Sequence, residues 1–247
     1  MTTFTIELAG IPIGVTALFE DTRDFCRDYL TEKPARFSVI IDEADIRHEA
    51  ERSARENIRE GIPVIKYPAN YLETLAVYRK IVEQLLDYDV FLFHGSVVAV
   101  DGQGYLFTAQ SGTGKSTHTR LWRQHFGDRA MMVNDDKPLL RLVENGVMVC
   151  GTPWDGKHRL STNITVPLKA ICILRRGAEN KILPVTVQEA LPMLLQQSQR
   201  PKAPEKMVKF LALIEKIAKN LGLFCLECNM DPQAAVVAYN GMNGKGN

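Results

Sequence analysis

The sequence predicts an α/β fold with a mixed sheet flanked by helices, preceded by a small α+β domain. Residues 105–126 read as a strand, a glycine-bearing loop and a helix in direct succession. The strand of that unit, Tyr105–Thr108, follows Val97–Val100 across the turn Asp101–Gly104, so we expect these two strands to be antiparallel neighbours. Amphipathic helices then alternate with short apolar strands, which is typical of an α/β domain.

Composition narrows the class of protein. The chain has 247 residues, of which 45% are hydrophobic and 24% charged, as in ordinary globular proteins. A net charge of +1 gives no overall field that would attract nucleic acid. No segment is long and apolar enough for a membrane span, and the first residues lack the pattern of a secretory signal. We therefore expect a cytoplasmic protein without a nucleic-acid or membrane partner.

The cysteines fit reduced thiols better than a disulfide framework. There are five, an odd number, and they are scattered along the chain. Cys225 and Cys228 form a C-x-x-C without a second pair or metal-spaced histidines, and alternating apolar residues surround them. We predict a packed strand there.

Residues 1–69 are assigned to a small α+β accessory domain. Thr3–Leu8 and Ile11–Leu18 flank Ala9-Gly10 and predict a hairpin, and Phe37–Ile41 predicts another short strand. The highly charged run 45–59 is typical of a solvated helix or loop. We find no catalytic constellation in this part.

Residues 70–247 are assigned to the catalytic domain. A helix is predicted to open at Asn70, with Glu73 completing a capping-box-like start. It leads into the buried strand Val90–Phe93. Beyond residue 126, besides the strand at Cys225 and Cys228, the patterns predict four strands, at 129–133, 139–143, 147–150 and 168–174, and three helices, at 186–197, 207–221 and 231–241.

The segment Ala109–Ser116 fits the phosphate-binding loop G-x-x-x-x-G-K-[ST], with alanine in place of the first glycine. Its glycines let backbone N–H groups turn toward phosphate oxygens at the start of a helix. Lys115 would reach the β- and γ-phosphates, and the Ser116 hydroxyl would coordinate Mg²⁺. We predict that the nucleotide site comprises Ser111, Gly112, Thr113, Gly114, Lys115, Ser116 and Thr117.

Asp135 and Asp136 follow the strand that comes after the loop's helix. In an open α/β sheet that strand end lies beside the loop. One carboxylate could bind Mg²⁺ while the other accepts a proton, and their repulsion would help to hold one as a base. An Asp-Asp pair can also be a solvated turn. Its position after the loop's helix favours a functional role, and which of the two is the base stays open.

Other polar residues are weaker candidates. His94 follows a buried strand and either satisfies a backbone carbonyl or lies in the site. Lys157, His158 and Arg159 form a basic loop that is either a surface loop or a flap that brings cations to a phosphate. Arg175-Arg176 is a further candidate, and we predict no ligand role for His118 or His125.

Taken together, His94-Gly95, Ser111–Thr117 and Val133–Asp136 resemble the catalytic core of the HPr serine kinase/phosphorylase family, which is related to the phosphoenolpyruvate carboxykinases. The resemblance covers residues 91–176. It implies an ATP- and Mg²⁺-dependent kinase whose acceptor is a serine in a protein or peptide, or a small hydroxylated metabolite. Residues 152–159 lack the family's glutamate- and glycine-containing signature, so the acceptor stays open.

The resemblance also implies roles for single residues. Lys115 and Ser116 would bind phosphates and metal, Asp135 and Asp136 would supply the base and a metal-associated carboxylate (Asp136 for the metal), and His94 would lie near the transferring phosphate. Carboxykinase-like transfer would need a transition-metal site that the sequence does not clearly provide. A nucleotide-sensing module without a phosphoacceptor is the alternative, and a homo-oligomer stays open.

Overall fold

A computed structural model of the chain describes residues 1–59, 61–156, 158–201 and 203–244. The chain divides into two compact units, Met1–Leu85 and Leu86–Asn247. The sequence placed the boundary at residues 69/70 instead. The difference is one helix, which the sequence assigned to the second domain and which packs within the first unit.

Within its described residues, the first unit contains a three-stranded sheet and three α-helices. Strands β1 and β2 are antiparallel, which confirms the predicted hairpin, and β3 runs parallel to β2. The charged run forms helix α2, and α1 was not predicted from the sequence. The bounds are β1 Thr2–Leu8, β2 Ile11–Ala17, α1 Glu20–Phe25, a 3-10 turn Arg27–Tyr29, β3 Phe37–Ile40, α2 Glu43–Arg59 and α3 Ala69–Leu85.

Ion pairs between α2 and α3 explain why α3 belongs to the first unit. Arg79 of α3 lies 2.5 Å from Glu49 and 3.1 Å from Asp45, both on α2. Lys80 lies 2.5 Å from the other oxygen of Asp45. These side chains are largely shielded from solvent, so each pair is screened less than an exposed one.

The predicted capping pair at the start of α3 is wrong. The helix begins at Ala69, one residue before Asn70. The Glu73 carboxylate is buried and accepts hydrogen bonds from the backbone N–H groups of Leu18 and Phe19, at 2.5 and 3.1 Å, and from the Thr22 hydroxyl at 2.5 Å. Because a buried carboxylate needs several donors, it binds a distant segment instead of its own helix end.

The described part of the second unit is built on a nine-stranded mixed sheet. Its main order is β4-β8-β9-β10-β6-β5-β7, and β12 pairs with both β10 and β11. The predicted strands are all present, whereas β11 was not predicted. The bounds are β4 Val90–Leu92, β5 Ser96–Val100, β6 Gln103–Thr108, β7 Ala130–Asn134, β8 Leu139–Val143, β9 Gly146–Cys150, β10 Thr165–Arg176, β11 Lys181–Pro184 and β12 Gly222–Cys228.

Strand directions bring several strand ends to one edge of this sheet. Strand β6 is antiparallel to β5, as predicted, and parallel to β10, which is parallel to β12. Since β7 is antiparallel to β5, it runs in the same direction as β6. The carboxyl ends of β6, β7, β10 and β12 therefore lie at the same edge.

Helices cover both faces of the sheet. One core cluster contains Phe91, Phe93 and Phe210, and the other contains Phe107 and Trp122. The predicted helices are confirmed, including the Thr186/Glu189 capping box of the second one. Their bounds are α4 Lys115–Phe126, α5 Val187–Gln196, α6 Pro204–Asn220 and α7 Gln233–Met242, with 3-10 turns at Leu86–Tyr88 and Gly127–Arg129.

All five cysteines are free, and Cys225 and Cys228 lie on β12, as predicted. Across the described ranges, no helix has the length and apolar character needed to cross a membrane.

Candidate phosphate-binding site

The loop between β6 and α4 depends on two glycines. Gly112 and Gly114 have φ angles of +76° and +119°, which residues with an L side chain rarely adopt. A Cβ built on Gly112 would meet nothing within 4 Å, so the backbone and not the available space calls for glycine. Helix α4 begins at Lys115, directly after Gly114. The positive end of the helix dipole therefore lies at the loop.

Lys115 lies within electrostatic reach of both predicted carboxylates. Its Nζ donates to the Ala109 carbonyl at 3.4 Å. Partial burial lowers the pKa of Lys115, and the charges of Asp136 and Asp135 partly offset this effect. Asp135 is also joined to helix α4, which begins at Lys115, through Ser96 and Thr119, so the lysine of the loop and the acidic pair lie at the same edge of the sheet.

Asp135 is tied to β5 and indirectly to α4. The side chain is buried, with the residue 6% exposed, and its Oδ1 accepts a 2.6 Å hydrogen bond from the Ser96 hydroxyl. Ser96 Oγ also lies 2.9 Å from Thr119 Oγ1 on α4. Sequence reasoning missed Ser96 and Thr119. Identifying Ser96 would have required knowing the pairing of β5 with β7, in which Val97 is opposite Asn134.

Asp136 is held in its ionised form. His94 Nδ1 lies 3.1 Å from its Oδ1, and Lys137 Nζ contacts its Oδ2. Burial alone would raise the pKa of Asp136, but the hydrogen bonds and charges of His94 and Lys137 hold it well below its usual range. The His94 side chain therefore pairs with a carboxylate, while its backbone N–H donates to the Gln197 carbonyl at 2.6 Å.

Asn134 fixes the turn that carries the acidic pair. Its Oδ1 accepts from the backbone N–H groups of Asp136 and Lys137, at 2.8 and 2.7 Å. Its Nδ2 lies within hydrogen-bonding distance of the Thr152 carbonyl and hydroxyl, both at 3.1 Å, and of the Trp154 carbonyl at 3.3 Å. No role was predicted for this buried amide from the sequence. An Asn that precedes two acidic residues at a strand end is the signal that could have found it.

The predicted basic loop runs past the acidic pair. Lys157 lies outside the described residues. Arg159 is exposed, has a φ of 49°, and donates its backbone N–H to the Gly156 carbonyl at 3.1 Å. A Cβ built on Gly156 would lie 3.2 Å from Asp135 Oδ2, so this glycine lets the loop pass close to the carboxylate.

Two pockets flank the loop. The first, of about 520 Å³, is lined by the loop, α4 and the ends of β10 and β12. The second, of about 440 Å³, is lined by the loop, the end of β10 and helix α5. Arg176 lines both, and its Nη2 donates to the Gly112 carbonyl at 2.6 Å. Arg176, which the sequence indicated only as a further candidate beside Arg175, thus contacts the loop itself.

Comparison with known proteins assigns a family. The sequence model of the family described as SynChlorMet cassette protein ScmC matches residues 68–231, which is more than half of the chain. The chain belongs to the ScmC family. The matched part of this ScmC family member includes the loop, His94 and the acidic pair.

Two other comparisons add little. No curated protein matches this ScmC family member. Among solved structures, the Hpr(Ser) kinase/phosphatase from Coxiella burnetii matches with a TM-score of 0.36 and 9% identity, over 63% of this chain and 99% of that chain. At these values the likeness carries no argument about activity, and the HPr-kinase type of core named from the motifs stays a prediction.

The pocket of about 520 Å³ is lined by a histidine for which the sequence predicted no ligand role. His118 is 3% exposed, and its Nε2 accepts a 3.0 Å hydrogen bond from Trp122 Nε1. Burial lowers the pKa of His118 to about 4, so the ring is neutral and Nδ1 carries the proton. Nδ1 is buried and has no hydrogen-bond partner within the described ranges. An unpaired buried donor costs about 1–3 kcal/mol.

The side chains of this ScmC family member suit Mg²⁺ better than a softer metal. Ser116 is exposed on the first turn of α4, and Asp136 supplies an ionised carboxylate at the same sheet edge. Mg²⁺ is usually held by one or two carboxylates together with substrate phosphates. The part of the chain that the structure describes holds no cluster of three or more His, Cys, Asp or Glu that could bind a metal without such phosphates.

Proposed function

We propose that this ScmC family member is a kinase that transfers the γ-phosphoryl group of ATP to a hydroxyl group, in a reaction that requires Mg²⁺. The acceptor is a serine in a protein or peptide, or a small hydroxylated metabolite. The observation that carries the proposal is that Asp135 is joined through Ser96 and Thr119 to the first turn of the helix that begins at Lys115, with Asp136 beside it. Binding a nucleotide needs at most one metal-associated carboxylate, whereas phosphoryl transfer to an alcohol also uses a base.

In this proposal the loop Ser111–Thr117 binds the phosphates of ATP, and Lys115 contacts the β- and γ-phosphates. Ser116 and Asp136 hold Mg²⁺, which neutralises charge on the phosphates when bound. Asp136 suits this role because its pKa is held low by His94 and Lys137, and a metal ligand must be deprotonated. The same low pKa makes it a weak base.

Asp135 is the better base. Ser96 donates to one of its oxygens, Oδ1, and fixes the orientation of the carboxylate. Asp135 takes the proton of the acceptor hydroxyl while the oxygen of that hydroxyl forms a bond to the γ-phosphorus. The bond from the γ-phosphorus to the bridging oxygen breaks, and ADP leaves with the electron pair. His94 and the loop that contains Lys157 and Arg159 supply further positive or polar groups near the transferring phosphate.

The test is phosphate transfer from γ-labelled ATP with Mg²⁺ to free serine, small alcohols, serine-bearing peptides and HPr. Label on one acceptor is expected for the wild type and for Lys181→Ala, an exposed lysine on β11. It should be lost in Lys115→Ala and fall at least about 100-fold in Asp135→Asn, the usual effect of removing a general base.

Two outcomes would contradict the proposal. Full transfer by Lys115→Ala would show that the loop does not hold the phosphates. ATP binding with slow turnover that no hydroxyl compound changes would favour the nucleotide-sensing module. A cytoplasmic location is part of the proposal, and fractionation of cells tests it.

A further inference from the structure

The pocket of about 440 Å³ carries opposite charges on two of its walls. Arg175 lines it from the end of β10, and Glu189 lines it from helix α5. The amide side chains of Gln110, in the phosphate loop, and Gln196, at the end of α5, line it as well. A few polar groups of this kind fix the orientation of a small molecule, and the volume lies within the usual range of about 300–1,000 Å³ for such sites.

Arg175 is directed to this pocket by the alternation of side chains along β10. Ile173 packs in the same core cluster as α5, so Arg175, two residues further on, lies on the face of the sheet that α5 covers. Arg176 lies on the other face and donates to the Gly112 carbonyl. Arg175 is exposed and makes no hydrogen bond or ion pair within the described ranges. Because a guanidinium binds a carboxylate through two parallel hydrogen bonds, Arg175 suits a carboxylate of the ligand.

Glu189 stays ionised while it caps its own helix. Its Oε2 accepts hydrogen bonds from the backbone N–H and the hydroxyl of Thr186, at 2.7 and 2.8 Å, and these bonds hold the pKa of Glu189 below its usual value. In the described part of the chain, Oε1 has no partner and no ion pair joins Glu189 to Arg175. The two opposite charges are therefore available to a ligand that carries both an ammonium and a carboxylate group.

The same pocket lies beside His94. The carbonyl of Gln197, which follows α5, accepts a 2.6 Å hydrogen bond from the backbone N–H of His94. The hydroxyl of Thr108, at the end of β6, donates to the His94 carbonyl at 3.1 Å. Because the adjoining parts of α5 and of the phosphate loop line the pocket, a ligand there lies near His94. It also lies near the acidic pair, since His94 contacts Asp136.

We propose that this pocket binds the phosphoacceptor and that the acceptor is a free hydroxy amino acid, such as serine, threonine or homoserine. Arg175 binds its carboxylate, Glu189 binds its ammonium group, and its hydroxyl reaches the transferring phosphate. The inference rests on the proposed function, in which Asp135 takes the hydroxyl proton, the oxygen bonds to the γ-phosphorus and ADP leaves. It selects a small zwitterion over a protein, because an internal serine has its α-amino and α-carboxyl groups in peptide bonds.

The experiment measures kcat/KM of the full chain for each acceptor with γ-labelled ATP and Mg²⁺. The panel contains the three hydroxy amino acids, N-acetylserine amide, serine-bearing peptides and HPr. Ethanolamine is serine without its carboxylate, and 3-hydroxypropanoate is serine without its ammonium group. Each of these two analogues should react at least about tenfold less efficiently than serine, because each lacks one charge-assisted contact. N-acetylserine amide lacks both charges and should react at least about 100-fold less efficiently.

Variants of the two charged residues test each contact separately. Arg175→Gln should raise KM for serine at least about tenfold and leave KM for ethanolamine and for ATP nearly unchanged. Glu189→Gln keeps a side chain that can complete the capping box, and it should raise KM for serine but not for 3-hydroxypropanoate. Lys169→Gln, on the same strand as Arg175, and Glu179→Gln are the matched controls, because both residues are exposed and outside the lining of this pocket.

Each contrary result has a defined meaning. Label on HPr or on serine-bearing peptides, with none on the three amino acids, would overturn this inference and leave the proposed kinase standing. Equal efficiency with serine and its two analogues would overturn it as well. A raised KM for ATP in Arg175→Gln, equal with every acceptor, would show that this arginine binds phosphate and would overturn the assignment. If ATP binds and no compound in the panel is labelled, the proposed function itself fails, and this inference fails with it.

Discussion

Ser96 and Asp135 are joined by a 2.6 Å hydrogen bond between two antiparallel strands of the second unit. The serine is fully buried at the start of β5, and the aspartate directly follows β7. Since Thr119 of α4 contacts the same hydroxyl, the helix that begins at the phosphate loop and the carboxylate share one hydrogen-bonded group. This arrangement sets the distance between the loop and the acidic pair.

Replacing Ser96 by alanine should therefore lower the rate of transfer more than it lowers ATP affinity. The carboxylate of Asp135 loses its donor, so we expect kcat to fall about tenfold, a loss of about 1.4 kcal/mol, with KM for ATP nearly unchanged. Steady-state kinetics with the acceptor found in the panel would measure both. Ser198→Ala is the control, because Ser198 is also buried and donates to a backbone carbonyl. Equal effects of the two variants on kcat would contradict a specific role for Ser96.

Replacing Asn134 by alanine should destabilise the second unit by about 3 kcal/mol. The backbone N–H groups of Asp136 and Lys137 and the carbonyls around Thr152 would lose a buried partner. Asn134→Asp keeps one acceptor but places an oxygen against those carbonyls, so it should be no better. Urea unfolding followed by tryptophan fluorescence measures the loss. Asn220→Ala, on an exposed residue that donates to the Lys216 carbonyl, should stay within about 0.5 kcal/mol of the wild type.

Two glycines with nearly equal φ angles separate backbone strain from function. Gly112 in the loop and Gly102 in the β5–β6 turn have φ angles of +76° and +78°, and a Cβ on either would meet nothing within 4 Å. Alanine at each position should cost a similar amount, about 1–2 kcal/mol, because the strain is the same. Only Gly112→Ala should weaken ATP binding, by at least tenfold. Calorimetric titration with ATP would show this difference, and equal ATP affinities would place the phosphates elsewhere.

The ionisation of Asp45 in the first unit should make the stability of the protein vary with pH. Burial alone would raise the pKa of Asp45, but hydrogen bonds with Lys80, Asp42 and Arg79 hold it below the usual value. The ionised form is thus favoured by folding. The contribution of ionised Asp45 to the stability of the folded protein is fully present above its unfolded pKa of about 3.9. This contribution is lost as the pH falls through the lower pKa of the folded state.

The Asp45→Asn variant should therefore be less stable than the wild type at pH 7. The difference in stability between the two proteins should decrease as the pH falls toward 3. Urea midpoints at pH 7, 5, 4 and 3 would measure this. Glu43→Gln is the control, because it changes an exposed ion pair on the same helix. Its stability should stay close to that of the wild type at all four pH values. A stability difference between Asp45→Asn and the wild type that stays constant with pH would contradict the prediction.

Features that depend on neighbouring residues could be predicted from the sequence. The two hairpins β5–β6 and β8–β9, the glycine loop, helix α4 and the Thr186/Glu189 cap are each specified within a few residues. The capping pair Asn70/Glu73 has the same local pattern as the Thr186/Glu189 cap, yet it is wrong. Glu73 finds three donors in a segment more than 50 residues away, and no local rule can weigh that competitor.

The candidate site shows the same division. The sequence by itself determined the loop Ser111–Thr117 and the acidic pair after the next strand, because glycine conformations and strand–helix patterns are local. Only the tertiary structure decided that Ser96 orients Asp135, that His94 and Lys137 hold Asp136 ionised, and that His118 lines a pocket. These contacts depend on strand register and on the desolvation that packing imposes, and neither is encoded at a single position along the chain.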